Sequence, residues 1–187
     1  TILCLFVSLA GISQLAGASW QNALVPPGEG VKVQLVNDGK ANFKIVAEGY
    51  EKAEEFLQRG LKILTAVDFT GDARYSIKLA KSESDFGIDG YAIDMSGGNI
   101  ILSGSCDHGL FNAVTALLEE DLGWRYYQKN QGGVSPQGTI SNAKIVPRRY
   151  IPPFFQRCVH SKWAFDSDWE KANKTRMGDF GKYFVHT

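Results

Sequence analysis

The segment GLFNAVTALLEEDLGWRYY, residues Gly109–Tyr127, contains the pattern that decides the fold. Apolar residues recur at helical spacing as far as Leu122, Gly123 ends the helix, and an aromatic-rich stretch follows at once. We therefore predict an amphipathic helix that leads directly into a strand beginning at Trp124. The aromatic side chains could pack in the core or line a binding site, and only the flanking sequence can decide between these two.

The two ends of this helix differ in charge. Asp107 is a suitable N-cap. Glu119, Glu120 and Asp121 occupy the last turn, where negative charge is unfavourable against the helix dipole. We interpret these acids as a solvated face that Arg125 steadies, because adjacent acids alone are weak evidence for acid–base chemistry.

The residues before this helix alternate between strand and helix patterns. The turn Asn37-Asp38-Gly39 separates two strands that could form a hairpin or a neighbouring pair. The turn Gly97-Gly98-Asn99 predicts a second hairpin. In chain order, we predict strands at 31–36 and 42–48, a helix at 50–67, strands at 74–80, 90–96 and 100–104, the helix that ends at Gly123, and a strand at Trp124. This order predicts an α/β fold, specifically an α+β sandwich whose mixed, mostly antiparallel sheet carries two helices on one face.

The N-terminal residues look like a secretory signal. An apolar run is followed by small residues, and Ala16-Gly17-Ala18 is typical of a cleavage site. The run is shorter than the roughly 20 apolar residues of a membrane-spanning helix. We expect an exported bacterial protein, periplasmic, cell-surface or extracellular, with a signal peptide at 1–18 and a polar lead at 19–30. A buried N-terminal helix is the alternative.

The composition changes again after Val146. Prolines at 147, 152 and 153 predict a linker at 147–153, which would end the domain at 31–146. Residues 154–187 are aromatic and lack clean periodicity, although WEKANKTRM could form one short helix. We interpret 154–187 as the beginning of a second domain that is cut off. A C-terminal extension that packs back on the sheet is the alternative.

Composition and motifs exclude several classes of function. The 187 residues include 20 basic and 20 acidic ones without a basic stripe, so neither nucleic acid nor an anionic membrane is an expected partner. The sequence lacks a phosphate loop, a G-x-S-x-G elbow and an H-E-x-x-H motif, so we expect no cofactor and no metal. Cys158 and His160 carry no signature of a catalytic thiol. Cys106 and Cys158 could pair, but two unpaired thiols are favoured.

Aromatic and acidic residues lie close together after the linker. Trp163 and Trp169 could form a platform for a sugar ring, or they could belong to the core of the next domain. Asp166, Asp168 and Glu170 are near in sequence, but nothing places them across a sugar-sized cleft. We interpret these acids as solvated or capping side chains, and we predict no catalytic residue in this chain.

The stretch DGYAIDMSGGNIILSGSCDHGLFNAVTALLEEDLGWRYY, from Asp89, resembles the N-terminal domain that precedes the catalytic barrel in α-glucuronidases and family 20 β-hexosaminidases. The shared pattern is a Gly-Tyr strand, an I-x-I-x-G strand, a Gly-opened helix ending in Leu-Leu-Glu, and a Leu-Gly-aromatic-Arg-aromatic strand. The sequence is most similar to secreted bacterial proteins in which this domain precedes the domain of unknown function 4838. A run like PPF-x-x-R…AFD-x-DW…N-x-x-R follows there, as it does here.

The resemblance implies a function in carbohydrate metabolism. Residues 31–146 would be the accessory domain, and 154–187 would open a (β/α) barrel of a glycoside hydrolase-like protein. Because the catalytic acids of these families come from later in the barrel, this chain alone is expected to be inactive. A stand-alone secreted module that binds glycan or protein through its aromatic tail is the other class of function.

The resemblance also supplies candidate sugar contacts. Phe154 and Arg157 match the P-R-F-x-x-R-G motif at the first barrel strand of the hexosaminidases, whose second Arg grips sugar hydroxyls. Pro153 and Cys158 depart from the first Arg and the Gly of that motif, so a structural ion pair is an equal alternative for Arg157. The predicted substrate-binding residues are Arg157, Trp163 and Asn173.

Overall fold

The computed structural model describes residues 29–82, 86–87, 89–127, 133–152 and 167–174. The predicted signal peptide at 1–18, and the polar lead at 19–30 except Glu29 and Gly30, lie outside this part of the chain. The strands are β1 (Val31–Gln34), β2 (Val36–Asn37), β3 (Lys40–Ala41), β4 (Phe43–Val46), β5 (Tyr75–Lys81), β6 (Tyr91–Ser96), β7 (Asn99–Gly104), β8 (Asn142–Ile145) and β9 (Arg148–Tyr150). The helices are α1 (Glu51–Thr65), α2 (Asp107–Ala116), which continues as a π-helical turn at Leu117–Asp121, and α3 (Ser167–Ala172).

A five-stranded sheet forms the centre of the fold, with strand order β4-β5-β7-β6-β9. β5 lies parallel to both β4 and β7, whereas β6 is antiparallel to both β7 and β9. Two small pairs, β1–β8 and β2–β3, are also antiparallel. The structure thus confirms the predicted α+β class with a mixed, mostly antiparallel arrangement of strands.

Helix α1 confirms its predicted apolar stripe. Ala53, Phe56, Leu57, Leu61 and Leu64 are all buried and face the core that the sheet shares with α2. The helix ends where Ala66 adopts a left-handed conformation, with φ of 59°, and donates its N–H to the Lys62 carbonyl. Burial of the stripe, at about 25 cal/mol per Å² of apolar surface, is what stabilises the helix on the sheet.

One of the two predicted hairpins is confirmed, and the other pairs differently. β6 and β7 are antiparallel neighbours with Ser96 opposite Asn99, and Gly97 and Gly98 supply positive φ angles to the turn. β1, however, pairs with β8 far along the chain and not with β4. The turn at 37–39 instead joins β2 to β3, because Asp38 and Gly39 both adopt positive φ and reverse the chain at once.

The structure differs from the prediction after Gly123. Gly123 ends the helix with φ of 80°, but the predicted strand at Trp124 is not part of the sheet. Arg125 makes an isolated antiparallel bridge with Val134, and the Trp124 N–H bonds back to the Leu118 carbonyl at 2.8 Å. The buried Trp124 ring packs edge-on against Phe56, with ring centroids 5.6 Å apart. Trp124, the first residue of the aromatic stretch, therefore belongs to the core.

The residues after Val146 extend the fold. Arg148–Tyr150, within the segment 147–153 that the sequence suggested as a linker, form β9 and pair with β6. Further on, α3 packs against α2: Ala172 is buried, and the Thr115 hydroxyl donates to the Lys171 carbonyl at 3.0 Å. Part of the segment 154–187 therefore packs back on the helices, while the rest, on which the barrel prediction depends, lies outside the described residues.

Candidate functional site

Of the three predicted sugar contacts, only Asn173 falls among the described residues. It is exposed and follows α3 directly. Arg157 and Trp163 lie outside the described part of the chain, as do Cys158 and His160. Asp168, one of the acids considered above, forms a partly exposed ion pair with Arg59 of α1 at 2.8 Å.

The polar side chains that the structure does bring together lie at the end of α2. We call Glu120, Asp121, Arg148 and Lys174 the α2-end cluster. The π-helical turn positions it, because the Leu122 N–H reaches the Leu117 carbonyl five residues back at 3.1 Å. This wider turn rotates Asp121 inward, where its side chain is only 2% exposed. The predicted solvated face is therefore wrong for Asp121.

Asp121 is held by three donated hydrogen bonds from neighbouring groups. The Arg148 Nη1 donates to both carboxylate oxygens, at 3.0 and 2.9 Å, and the Val146 N–H donates to Oδ1 at 3.2 Å. The same guanidinium also donates to the carbonyls of Val146 and Ala116, at 2.8 and 3.1 Å. Because β9 begins at Arg148, this network ties the fifth strand of the sheet to the end of the helix.

Burial controls the electrostatics of the cluster. Burial is the largest influence on Asp121 and raises its pKa above the usual range, although Arg148 opposes this. Burial would lower the pKa of the Arg148 guanidinium, but Asp121 and Glu120 more than offset it and raise that pKa. Burial, followed by the charge of Glu120, also raises the pKa of the neighbouring Tyr91 phenol.

Arg125 lies beside the acids, as predicted, but it contacts backbone carbonyls and not the carboxylates. Its Nη1 donates to the carbonyls of Glu119 and Trp124, at 2.6 and 2.8 Å. Arg148 reaches the Ala116 carbonyl one turn earlier. Two guanidinium groups thus satisfy carbonyls at the C-terminal end of the helix and offset the dipole that the acids would otherwise strengthen.

The cluster also reaches the segment that follows the sheet. Lys174, just beyond α3, lies 2.5 Å from Glu120 and 4.0 Å from Glu119. Lys171 of α3 places its ammonium 4.6 Å from the centre of the Phe111 ring. A strand, a helix and a downstream segment therefore meet at one charged centre, which suits it for holding elements together.

A second polar cluster lies at the other end of α2. Cys106 is the N-cap, not Asp107 as predicted, because its Sγ accepts from the Gly109 N–H at 3.5 Å. The Cys106 thiol in turn donates to the buried Asp89 at 3.5 Å, and the Asn112 amide donates to the Asp89 carbonyl at 3.1 Å. Asp89 and Asn112 thus fasten the loop before β6 to the helix.

Neither cluster has the form of a catalytic centre. Within the described ranges, no three His, Cys, Asp or Glu side chains come together as a metal site would need. None of the helices there is long and apolar enough to cross a membrane. The chemistry supported by the α2-end cluster is that of a rigid joint. Arg148 was not among the predicted site residues, and the sequence offers only a weak signal for it, an arginine directly after Pro147 in a chain with a helix end rich in acids.

Comparison with known proteins identifies similar folds. The fold is similar to part of a family 20 β-N-acetylhexosaminidase. The enzyme is that of Streptomyces coelicolor, with a TM-score of 0.50 and 17% sequence identity over 71% of this chain. The match covers 26% of that enzyme, so the chain spans about a quarter of its length. No family model and no curated protein matches the chain.

Two further structures show lower similarity to this chain. A family 20 exo-β-N-acetylglucosaminidase from Vibrio harveyi, solved with N-acetylglucosamine, has a TM-score of 0.43 at 13% identity, over 70% of this chain and 19% of its own. The β-N-acetylhexosaminidase of Bacteroides fragilis has a TM-score of 0.43 at 19% identity, over 73% of this chain and 26% of its own. At 17% identity, the similarity to the Streptomyces coelicolor structure concerns the fold alone.

Proposed function

We propose that this chain is the non-catalytic N-terminal portion of an exported glycoside hydrolase-like protein that acts on polysaccharide or glycoconjugate. Residues 31–146 are, in this proposal, an accessory domain of the α-glucuronidase and β-hexosaminidase type, as in the proteins with domain of unknown function 4838. The observation that carries the proposal is the fold similarity to a fraction of the Streptomyces coelicolor enzyme, which leaves most of that enzyme without a counterpart here.

The α2-end cluster supports an accessory role. A domain that supports a neighbour needs rigid contacts with the segment that leads to it. Here Lys174 pairs with Glu120, Asp168 pairs with Arg59, and Ala172 enters the apolar core. The Arg59–Asp168 pair is partly exposed and contributes about 0–1 kcal/mol to stability. The buried Ala172 and the hydrogen bond from Thr115 are therefore the more important contacts.

Arg157, Trp163 and Asn173 are the residues that we propose contact the sugar. A guanidinium fork donates well to vicinal hydroxyls, and an indole face suits the C–H surface of a sugar ring. An amide can donate and accept at once, which suits hydroxyl groups. Asn173 is exposed and therefore accessible to a ligand.

The decisive experiment compares this chain with the product of its reading frame extended beyond Thr187. Both are assayed with aryl glucuronosides and aryl N-acetylhexosaminides after purification from the culture medium or periplasm. We expect turnover by the longer protein and none by this chain, because the catalytic acids belong to the barrel. Turnover by this chain alone, or a stop codon directly after Thr187, would overturn the proposal, and the stop codon would favour a stand-alone binding module.

The sugar contacts are tested in the longer protein. Arg157→Lys and Trp163→Ala are each expected to raise KM for the preferred substrate about ten-fold, since each removes a contact worth about 1.4 kcal/mol. Arg59→Lys is a matched control, because Arg59 lies on the exposed side of α1 and Lys keeps its charge towards Asp168. Equal effects of Arg157→Lys and Arg59→Lys on KM would contradict the assignment of Arg157.

A further inference from the structure

Strand β1 is bordered by a groove on each side. The groove towards β4, β5 and the β6–β7 turn has a volume of about 370 Å³, and the shallower groove towards β8 has about 540 Å³. Lys32, Val33 and Gln34 line both, so the two adjoin along the strand. We call them together the β1 groove. Ligand sites typically occupy about 300 to 1,000 Å³, so either half could hold a sugar unit.

The β1 groove is positively charged. Lys32 of β1 and Lys144 of β8 lie directly opposite one another in the strand register, which is unfavourable for like charges. Arg74 adds a third cation at the other side of the strand. None of the residues lining the groove is acidic, and among the described residues no carboxylate lies within ion-pair distance of Lys32 or Lys144.

This local excess of positive charge is distinctive because the whole chain carries no net charge. Glu29 and Asp38, the acids nearest to β1 in sequence, and Asp72, the acid nearest to Arg74, do not line the groove. The side chain of Lys144 also lies across the backbone of Gly30, where an ideal Cβ would come within 2.7 Å of its Cε. The stem of Lys144 therefore passes close to Gly30, and an anion bound between Lys32 and Lys144 would relieve the repulsion between the two ammonium groups.

Amide side chains accompany these cations. Gln34 donates from its side-chain nitrogen to Asn37 Oδ1 at 3.2 Å, and the Asn42 side chain donates to the backbone carbonyl of Gln34 at 3.0 Å. These bonds fix the three amides yet use only one polar atom of each side chain. The remaining polar atoms, with the exposed Asn142 on the β8 side, supply donors and acceptors of the kind that hydroxyl groups need.

An apolar surface lies beside the polar groups. The half-buried Tyr75 ring is held between Phe43, with ring centroids 5.5 Å apart, and Gly98, whose ideal Cβ would lie 2.6 Å from Tyr75 Cε1. The Arg74 guanidinium stands 5.1 Å from the Tyr75 ring centre. Val31, also lining the groove, is one of the few large apolar side chains exposed on the described surface, at 43%.

We propose that the β1 groove binds an acidic saccharide, a glycan that carries carboxylate or sulfate groups. The lysines and Arg74 take the anionic groups, the amides take the hydroxyls, and Val31 with the edge of Tyr75 contacts the C–H surface. The anionic character of the ligand follows from the groove, and the choice of a saccharide rests on the proposed function. Single-stranded nucleic acid is less favoured, because it needs successive aromatic platforms, and here one half-buried ring is covered by Arg74.

Binding to the full chain is measured by isothermal titration calorimetry with tetragalacturonate, a heparin-derived tetrasaccharide and neutral cellotetraose. We expect both acidic probes, or one of them, to bind and the neutral one not to bind. Stronger binding of tetragalacturonate identifies carboxylate as the preferred group, and stronger binding of the heparin fragment identifies sulfate. Affinity should fall steeply as salt is raised, because ion pairing on an exposed surface is screened.

The double variant Lys32→Gln/Lys144→Gln is expected to weaken binding of the acidic saccharide about a hundred-fold, or about ten-fold for each charge-assisted bond lost. Lys78→Gln is the matched control, since Lys78 is an exposed strand lysine that does not line the groove. Circular dichroism and the thermal midpoint show whether each variant is folded, and Arg74→Gln provides a second, independent loss of a cation.

Several results would overturn the inference. These are an absence of binding of both acidic saccharides, equal binding of cellotetraose, an unchanged affinity in the double variant, or tighter binding of a single-stranded oligonucleotide of equal charge. The outcome is separable from that of the proposed function. This chain is tested by binding alone, whereas the proposed function is tested by turnover in the longer protein and by residues outside the groove.

Discussion

Arg148 grips both carboxylate oxygens of Asp121 from a single guanidinium nitrogen, at 3.0 and 2.9 Å, in a pair that is almost sealed from solvent. The side chains are 15% and 2% exposed. The pair joins the last strand of the sheet to the end of α2. Its burial determines how the chain should respond to substitution and to pH.

Removing one member of this pair should destabilise the chain strongly. Arg148→Met leaves the Asp121 carboxylate buried without its cation, and we expect a loss of about 3 kcal/mol in the free energy of unfolding. Urea unfolding followed by circular dichroism measures this. The double variant Asp121→Leu/Arg148→Met should recover part of the loss, because no charge then remains buried. If the loss of stability in the double variant equalled the sum of the losses in Asp121→Leu and Arg148→Met, the two side chains would not be coupled.

The pair also predicts a pH dependence. Because burial raises the pKa of Asp121, the folded chain holds that proton more tightly than the unfolded chain, whose carboxyl titrates near pH 3.9. The stabilisation from this proton is complete below about pH 4 and is lost as pH rises through the folded pKa. Stability of the chain should therefore fall relative to Asp121→Asn as the pH rises above about 4. If the chain instead became more stable relative to Asp121→Asn as the pH rises, the effect of Arg148 on the Asp121 pKa would outweigh that of burial.

Gly60 tests how closely α1 approaches the π-helical turn. An ideal Cβ on Gly60 would lie 2.5 Å from Leu118 Cδ1, and Leu118 is fully buried. Alanine would gain about 1 kcal/mol in helix propensity, but overpacking costs about 1–3 kcal/mol, so we expect Gly60→Ala to be destabilising overall. Gly71→Ala is the control, because its added methyl would meet nothing within 4 Å. Thermal unfolding of both variants shows whether helix propensity or overpacking has the larger effect. A gain in stability for Gly60→Ala would refute the close contact.

Trp124 and Tyr127 separate the core from the surface within one aromatic stretch. Trp124 is 2% exposed and Tyr127 is 66% exposed. Trp124→Ala should cost about 3–5 kcal/mol, whereas Tyr127→Ala should change stability by less than about 0.5 kcal/mol. Chemical denaturation checks both values. If Trp124→Ala left stability unchanged, the interpretation of Trp124 as a core residue would be wrong.

The burial pattern of the fold was predictable, because periodicity records which side of an element faces the core. The stripe of α1 and the β6–β7 hairpin follow from local signals of this kind. The partner of β1 was not predictable. An alternating strand can pair with any edge, and the choice of β8 depends on contacts between distant parts of the chain.

The α2-end cluster was not predictable for a related reason. Helical periodicity assumes a constant turn, whereas the π-helical turn changes which side Asp121 faces. The sequence therefore placed Asp121 in solvent and gave no partner for Arg148. Asn173 is exposed beside α3, but its sugar-binding role stays a prediction, as do those of Arg157 and Trp163 outside the described residues.

The pairing of β1 with β8 has a consequence for synthesis. Val31 lies opposite Ile145, so β1 leaves the ribosome more than 100 residues before its partner strand β8 has been made. Closing so long a loop is slow before the intervening elements have folded, and β1 must wait as an unpaired edge. The opposed Lys32 keeps that waiting edge charged, which discourages pairing with another nascent chain.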